Sequence, residues 1–118
     1  MRALLTGTSA PESPVEHSLS QAGHICEHVS GTNDFIARCE HHNPDVVLVD
    51  TEAPNVDAIL ILKSVTETSP GTHRVVISAN DDDRVVQSLF KAGAEAYLLK
   101  PVRELDLQNV LRKLRPTG

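Results

Sequence analysis

The sequence predicts an α/β domain built from five strand–helix units, with a parallel sheet covered by helices on both faces. Three observations carry this. Short β-rich apolar runs alternate with helical segments five times within 118 residues. Val46-Val47-Leu48-Val49 is a continuous apolar run without polar alternation, as a strand buried on both faces requires. Glycine or proline punctuation stands at the helix ends, where the chain must leave helical geometry.

Taken in order, residues 3–6 read as the first strand and 15–22 as a brief helix closed by Gly23. A strand at 24–29 precedes a helix at 32–42, which Asn43-Pro44 ends. After the 46–49 strand, Asp57 is a plausible N-cap for a helix over 56–68, stopped by Pro70-Gly71. Residues 74–77 form the fourth strand and 82–92 the fourth helix, whose acidic start at Asp81-Asp82-Asp83 suits a helix N-terminus. Gly93 follows, where a helix C-terminus favours positive φ. The fifth strand is 96–99. The last helix starts after Pro101, with Leu107, Val110, Leu111 and Leu114 as one apolar stripe and Arg112, Lys113 and Arg115 near its C-terminal end. One domain spanning 1–116 accounts for the chain, without repeat or linker.

Composition narrows the function. A net charge of −5 argues against a nucleic-acid-binding surface, and an aromatic content of 3% without tryptophan removes stacking platforms. No apolar run reaches the roughly 20 residues needed to span a bilayer, and the run after Arg2 is too short for a signal peptide. A cytoplasmic protein with two reduced thiols, Cys26 and Cys39, is expected.

In a parallel sheet, chemistry gathers at the carboxyl ends of the strands. Those positions carry Gly7, Thr8 and Ser9, then Asp50, Ser78 and Lys100: an acid, a hydroxyl and a lysine converging on one end. Gly7-Thr8-Ser9 lacks the second glycine and the lysine of a phosphate-binding P-loop. Asp50 and Ser78 have no histidine base beside them, which removes a catalytic triad, and no enzyme is expected.

The segments "VVLVDTEAPNVD" and "VVISAN…AGAEAYLLKP" resemble the receiver domain of response regulators in two-component signalling. The resemblance covers essentially the whole chain. It implies a doubly wound, flavodoxin-like (βα)5 fold with strand order 2-1-3-4-5. It sets Asp50 at the phosphoacceptor position, with Pro54 and Asp57 at the expected spacing. Ser78 and Tyr97 take the switch positions, Lys100 the phosphate-pairing position, and Pro101 is a candidate cis-proline. In the family, Mg²⁺ is held by two acidic residues after the first strand, the phosphoacceptor and a backbone carbonyl. Here that carbonyl would be Glu52's.

The first loop departs from the family. The acidic pair should fall at Thr6, Gly7 or Thr8, and none carries a carboxylate. Mg²⁺ favours anionic oxygen, so weak or absent binding is expected, and no cofactor. Without a cation, Asp50 and Lys100 are expected to pair directly. The favoured reading is a pseudo-receiver: a phosphorylation-independent interaction module. The alternative is a genuine phosphoacceptor using Asp50, with Glu12 or Glu16 as compensating ligands. The resemblance sets the interaction face on the fourth helix, fifth strand and fifth helix, which carry Arg84, Lys91, Glu95, Arg103, Glu104 and Asp106. A homodimer or a protein partner is expected there, with no membrane contact. Any DNA contact would belong to another domain, since receivers often head a longer regulator.

A rival of another class is a zinc-binding module. Four of the six histidines and both cysteines lie between His24 and His42, and these are zinc-ligand types, although their spacing matches no tight motif.

Overall fold

The computed structural model describes residues 2–6, 23, 25–53, 55–100 and 102–114. The expected helix at 15–22 lies outside them, as do Gly7, Thr8, Ser9, Glu12, Glu16, His24, Pro54 and Pro101. The elements run β1 (Arg2–Thr6), β2 (Ile25–Val29), α1 (Thr32–His42), β3 (Val46–Asp50), α2 (Ala58–Thr68), β4 (His73–Ser78), α3 (Asp83–Ala92), β5 (Ala96–Leu99) and α4 (Glu104–Leu114). All strand pairings are parallel, in the order β2-β1-β3-β4-β5. Fold class and strand order agree with the sequence reading. Boundaries differ by a residue or two, because strand ends depend on a neighbour's hydrogen bonds and not on local pattern.

Alternation along the strands builds two cores. Leu4, Val47, Val49 and Val76 face one side of the sheet, where they meet Phe35 and Cys39 of α1, Ile61, Leu62 and Val65 of α2, and Leu89 and Ala92 of α3. Ala3, Leu5, Val46, Leu48, Val75, Ile77 and Leu98 face the other side, against Leu107 and Leu111 of α4. β3 sits at the centre with both faces covered, which explains its unbroken apolar run.

Caps hold the helices in register with this sheet. Asp57 accepts from the Leu60 N–H at 3.1 Å, and Asp82 accepts from the Arg84 N–H at 2.9 Å. The Thr32 hydroxyl accepts from the Asp57 N–H at 2.8 Å and donates to the Asn55 carbonyl at 3.1 Å. The chain leaving β3 is thereby tied to the start of α1. At the amino ends of the strands, Arg74 donates to the Gly93 carbonyl at 2.6 Å and the Thr72 carbonyl at 2.8 Å, and pairs with Glu95 at 3.3 Å.

Gly93 closes α3 at φ 126°, and a Cβ there would stand 2.2 Å from the Thr66 hydroxyl oxygen and 3.3 Å from the Leu62 carbonyl oxygen. That hydroxyl donates to the same Leu62 carbonyl. Gly93→Ala therefore combines backbone strain with a steric conflict. It is expected to lower stability by about 1–3 kcal/mol, read from the urea midpoint at unchanged slope.

Candidate functional site

The carboxyl ends of β3, β4 and β5 deliver Asp50, Ser78 and Lys100 to one place because the strands are adjacent and in parallel register. Asp50 stands beside Ile77, and Ser78 beside Leu99. Two further backbone bonds carry the ladder past the strand ends: Thr51 N–H to the Ile77 carbonyl at 3.0 Å, and Lys100 N–H to the Ser78 carbonyl at 2.8 Å. On the other side of β3, the Asp50 N–H donates to the Thr6 hydroxyl at 2.8 Å. Thr6 is thus a backbone clamp between β1 and β3.

The lysine pairs directly with Asp50. Lys100 Nζ lies 3.0 Å from Asp50 Oδ1 and 2.9 Å from Oδ2. It also reaches Glu52 Oε1 at 3.2 Å, so one ammonium serves two carboxylates. All three side chains remain about a third or more exposed, at 34% for Lys100, 31% for Asp50 and 42% for Glu52. Solvent therefore screens these pairs substantially.

The sequence reading considers only the backbone carbonyl of Glu52; the structure also brings its carboxylate into the site. Oε1 accepts from the Ala79 N–H at 2.8 Å in addition to Lys100, and Oε2 accepts from the Ser78 hydroxyl at 2.9 Å. The Thr51 hydroxyl lies within hydrogen-bond reach of both Glu52 Oε2 and Ser78 Oγ. The turn is set by the Glu52 N–H donating to Asp50 Oδ1 at 2.9 Å and the Ala53 N–H donating to the Asp50 carbonyl at 3.2 Å. A turn position with an acidic side chain was the one available signal, and local pattern does not say which way it points.

Ser78 is fully buried at the strand end. Its oxygen also accepts from the Asn80 N–H at 3.1 Å, and the Tyr97 hydroxyl donates to the Asn80 carbonyl. The Tyr97 ring is half-buried against the α1–α3 core. Ser78 and Tyr97 are therefore joined through one residue, Asn80, which the sequence did not single out.

Electrostatics follow the contacts. Partial burial pushes the Glu52 carboxyl up, but the hydrogen bonds from Thr51, Ala79, Ser78 and Lys100 outweigh it and hold the group at about 2. Partial burial likewise pushes Lys100 down, and the bonds and negative charges of Asp50 and Glu52 carry it above its ordinary value.

Among the described residues, the two cysteines of the candidate zinc cluster part to opposite faces of the sheet. Among the described residues no group of three or more His, Cys, Asp or Glu side chains could hold a metal. Cys26 packs against the α4-side core while Cys39 is buried in the opposite one, so the sheet separates them. Burial dominates in raising the Cys39 thiol, against hydrogen bonds involving Ser69 and Thr72. His28, His41 and His42 line an open cleft of about 380 Å³ with Asp34 and Arg38. His24 lies outside the described residues.

Of the expected surface charges, Arg84, Lys91, Arg103, Glu104 and Asp106 are exposed on α3, α4 and the segment before α4. Glu95 is engaged elsewhere, by Arg74 at 3.3 Å and His73 at 3.3 Å at the amino end of the sheet.

Residues 13–112 match the profile of the response regulator receiver domain family. The DNA-binding transcriptional regulator NtrC of Salmonella typhimurium is 30% identical over 87 residues, 74% of this chain and 19% of that protein. The chain therefore spans about a fifth of that relative's length. Among solved structures, the chemotaxis response regulator CheY4 of Vibrio cholerae superposes with a TM-score of 0.82 at 20% identity, covering 97% of this chain and 98% of that one. The receiver domain of the sensor histidine kinase PA1611 of Pseudomonas aeruginosa, solved with magnesium in its active-site cleft, has a TM-score of 0.80 at 21% identity, covering 95% of each.

The Glu52 contacts imply a pH dependence. A carboxyl held at about 2 in the folded chain, against 4.5 ordinarily, contributes stability above pH 4.5 that is lost as pH falls towards 2. Glu52→Gln is expected to flatten the acid limb of the stability–pH curve across that window, measured as urea midpoints of both proteins.

Proposed function

This chain belongs to the response regulator receiver domain family of two-component signalling, and from that premise we propose that it is a pseudo-receiver. It transmits a signal through protein contact, without a phosphorylation cycle on Asp50. The observation that carries this reading is the occupation of the site by the chain's own charges. Lys100 is committed to Asp50 and Glu52, and the Ser78 hydroxyl and Ala79 N–H are committed to Glu52.

A divalent cation is a poor fit to these donors. Mg²⁺ needs near-octahedral oxygen ligands with enough negative charge to offset its dehydration. Among the described residues, the carboxylates here already face Lys100, and Thr6 supplies a hydroxyl that accepts from the Asp50 N–H. The metal bound by the PA1611 receiver thus finds weak footing here, and no resident cofactor is proposed.

The output surface is the face of α3, β5 and α4. It carries Arg84, Lys91, Arg103, Glu104 and Asp106 around the exposed apolar side chains Phe90, Leu99 and Leu105. Mixed charge around scattered apolar groups suits a regulated, polar, symmetric contact. A homodimer through this face is the proposed assembly. The NtrC match supports a setting in transcription control, with the 1–116 domain acting on a DNA-binding effector supplied by another domain or partner. A cytoplasmic setting accords with this role, and no described helix is long and apolar enough to cross a membrane.

Two measurements test the reading. Incubation with Mg²⁺ and acetyl phosphate, followed by intact-mass analysis, is expected to leave the chain unmodified. A Thr6→Asp/Gly7→Asp variant should gain both Mg²⁺ binding and a phosphoryl adduct. A stoichiometric acylphosphate on Asp50 of the unaltered chain overturns the pseudo-receiver assignment. For the surface, Arg84→Glu or Arg103→Glu should weaken self-association by roughly tenfold in sedimentation equilibrium. An unchanged dimer constant removes that face.

A further inference from the structure

We infer that Glu52 is a built-in oxyanion ligand: its carboxylate fills an anion-binding site made by Ser78 Oγ, the Ala79 N–H and Lys100 Nζ, and so sets the position of Tyr97 without any external anion. The inference deepens the pseudo-receiver reading and rests on it, by naming what holds the switch residues when no phosphoryl group does.

The geometry is that of a bound ligand. Three donors from two separate loops converge on one carboxylate, at 2.9 Å from Ser78, 2.8 Å from Ala79 and 3.2 Å from Lys100. They comprise a hydroxyl, a backbone N–H and an ammonium, donor types that bind any small oxyanion. With the Thr51 hydroxyl, four donors address the roughly four lone-pair positions of one carboxylate, which saturates it. The contacts also cross the fold, because Glu52 stands 26 residues from Ser78 and 27 from Ala79 in the chain.

Tethering makes the occupant hard to displace. Glu52 follows two residues after Asp50 in a hydrogen-bonded turn, so its carboxylate is presented at high effective concentration. Charge acts in the same direction. Asp50 and Glu52 contribute two negative charges against the one positive charge of Lys100, and a further anion would add to that excess. Yet the side chain is 42% exposed, on a surface turn, so the site can open outward if the carboxylate leaves. The ligand class that would replace it is a small oxyanion such as inorganic phosphate.

The occupied site connects to the surface through a short path. Glu52 accepts from Ser78 and Ala79, Ser78 Oγ accepts from the Asn80 N–H, and the Asn80 carbonyl accepts from the Tyr97 hydroxyl. Glu52 in place fixes the 78–80 loop, and that loop holds the hydroxyl of Tyr97, a β5 residue packed against the core.

The test is an NMR titration of the whole 118-residue chain and its Glu52→Ala variant with inorganic phosphate, without Mg²⁺, following the Ser78 and Ala79 amides and the Tyr97 ring. The variant is expected to show displaced Tyr97 resonances and saturable amide shifts at millimolar phosphate. The unaltered chain should need about tenfold more phosphate, the effect of a competing set of charge-assisted hydrogen bonds. Equal responses in the two proteins overturn the inference, because the carboxylate would then not occupy the site. Absence of response in both also overturns it, because no anion site would lie beneath. Should the alanine variant fail to fold, Glu52→Gln, which removes the competing charge at unchanged size, takes its place in the same titration and is read by the same outcomes. An acylphosphate formed on the unaltered chain with acetyl phosphate would instead defeat the pseudo-receiver reading, leaving the Glu52 result standing by itself.

Discussion

One lysine shared between two carboxylates organises the carboxyl end of this sheet. Lys100 Nζ stands within 3.0 Å of both Asp50 oxygens and 3.2 Å from Glu52, and its own N–H continues the β4–β5 ladder. If the ammonium were removed, two neighbouring carboxylates would face each other across a turn without a counter-charge. The turn after β3, the end of β4 and the end of β5 would then lose the group that draws them together. Because the three side chains are partly exposed, this is a device for placing loops more than a source of stability. Stability resides in the two apolar layers on either side of the sheet.

That division of labour separates what positions the site from what gives it its charge. The strands and their cores place Asp50, Ser78 and Lys100 together whatever stands in the first loop. Their proximity is a property of parallel register, and register is fixed by burial on both faces. What the site does with that proximity depends on the charges supplied around it. The Thr6 hydroxyl accepts from the Asp50 N–H and so ties β1 to β3 at this end of the sheet. A carboxylate at Glu52 saturates donors that would otherwise be open to an incoming anion. Each side chain uses the frame that the strands provide and sets the local electrostatics of the site.

The histidine and cysteine residues between 24 and 42 illustrate the limit of residue-type reasoning. The ligand chemistry was suitable, but a strand places alternate side chains on opposite faces, and the following helix covers only one of them. Glu27 meets Arg38 on the α1 side, whereas Cys26 lies against the α4-side core. Cys39 is claimed by the α1-side core. Glu95 makes a similar point, since a charge that reads as surface is held by Arg74 and His73 of the adjacent strand.

The sequence by itself determined the alternation of strands and helices, the cap at Asp57, the acidic start of α3, the turn at Gly93 and the convergence of Asp50, Ser78 and Lys100. These follow from local periodicity, backbone preference and the rule that parallel strands end together, all of which act within a few residues or through simple topology. Only the tertiary structure decided that the Glu52 carboxylate turns inward, that Thr6 clamps β3, that Asn80 links Ser78 to Tyr97, and that the two cysteines lie on opposite faces. Those outcomes depend on side-chain direction and, for Glu52, Thr6 and Tyr97, on partners 17 to 44 residues away. A polar side chain on a turn has several satisfactory partners until the packed strands settle which donors stand within 3 Å of it.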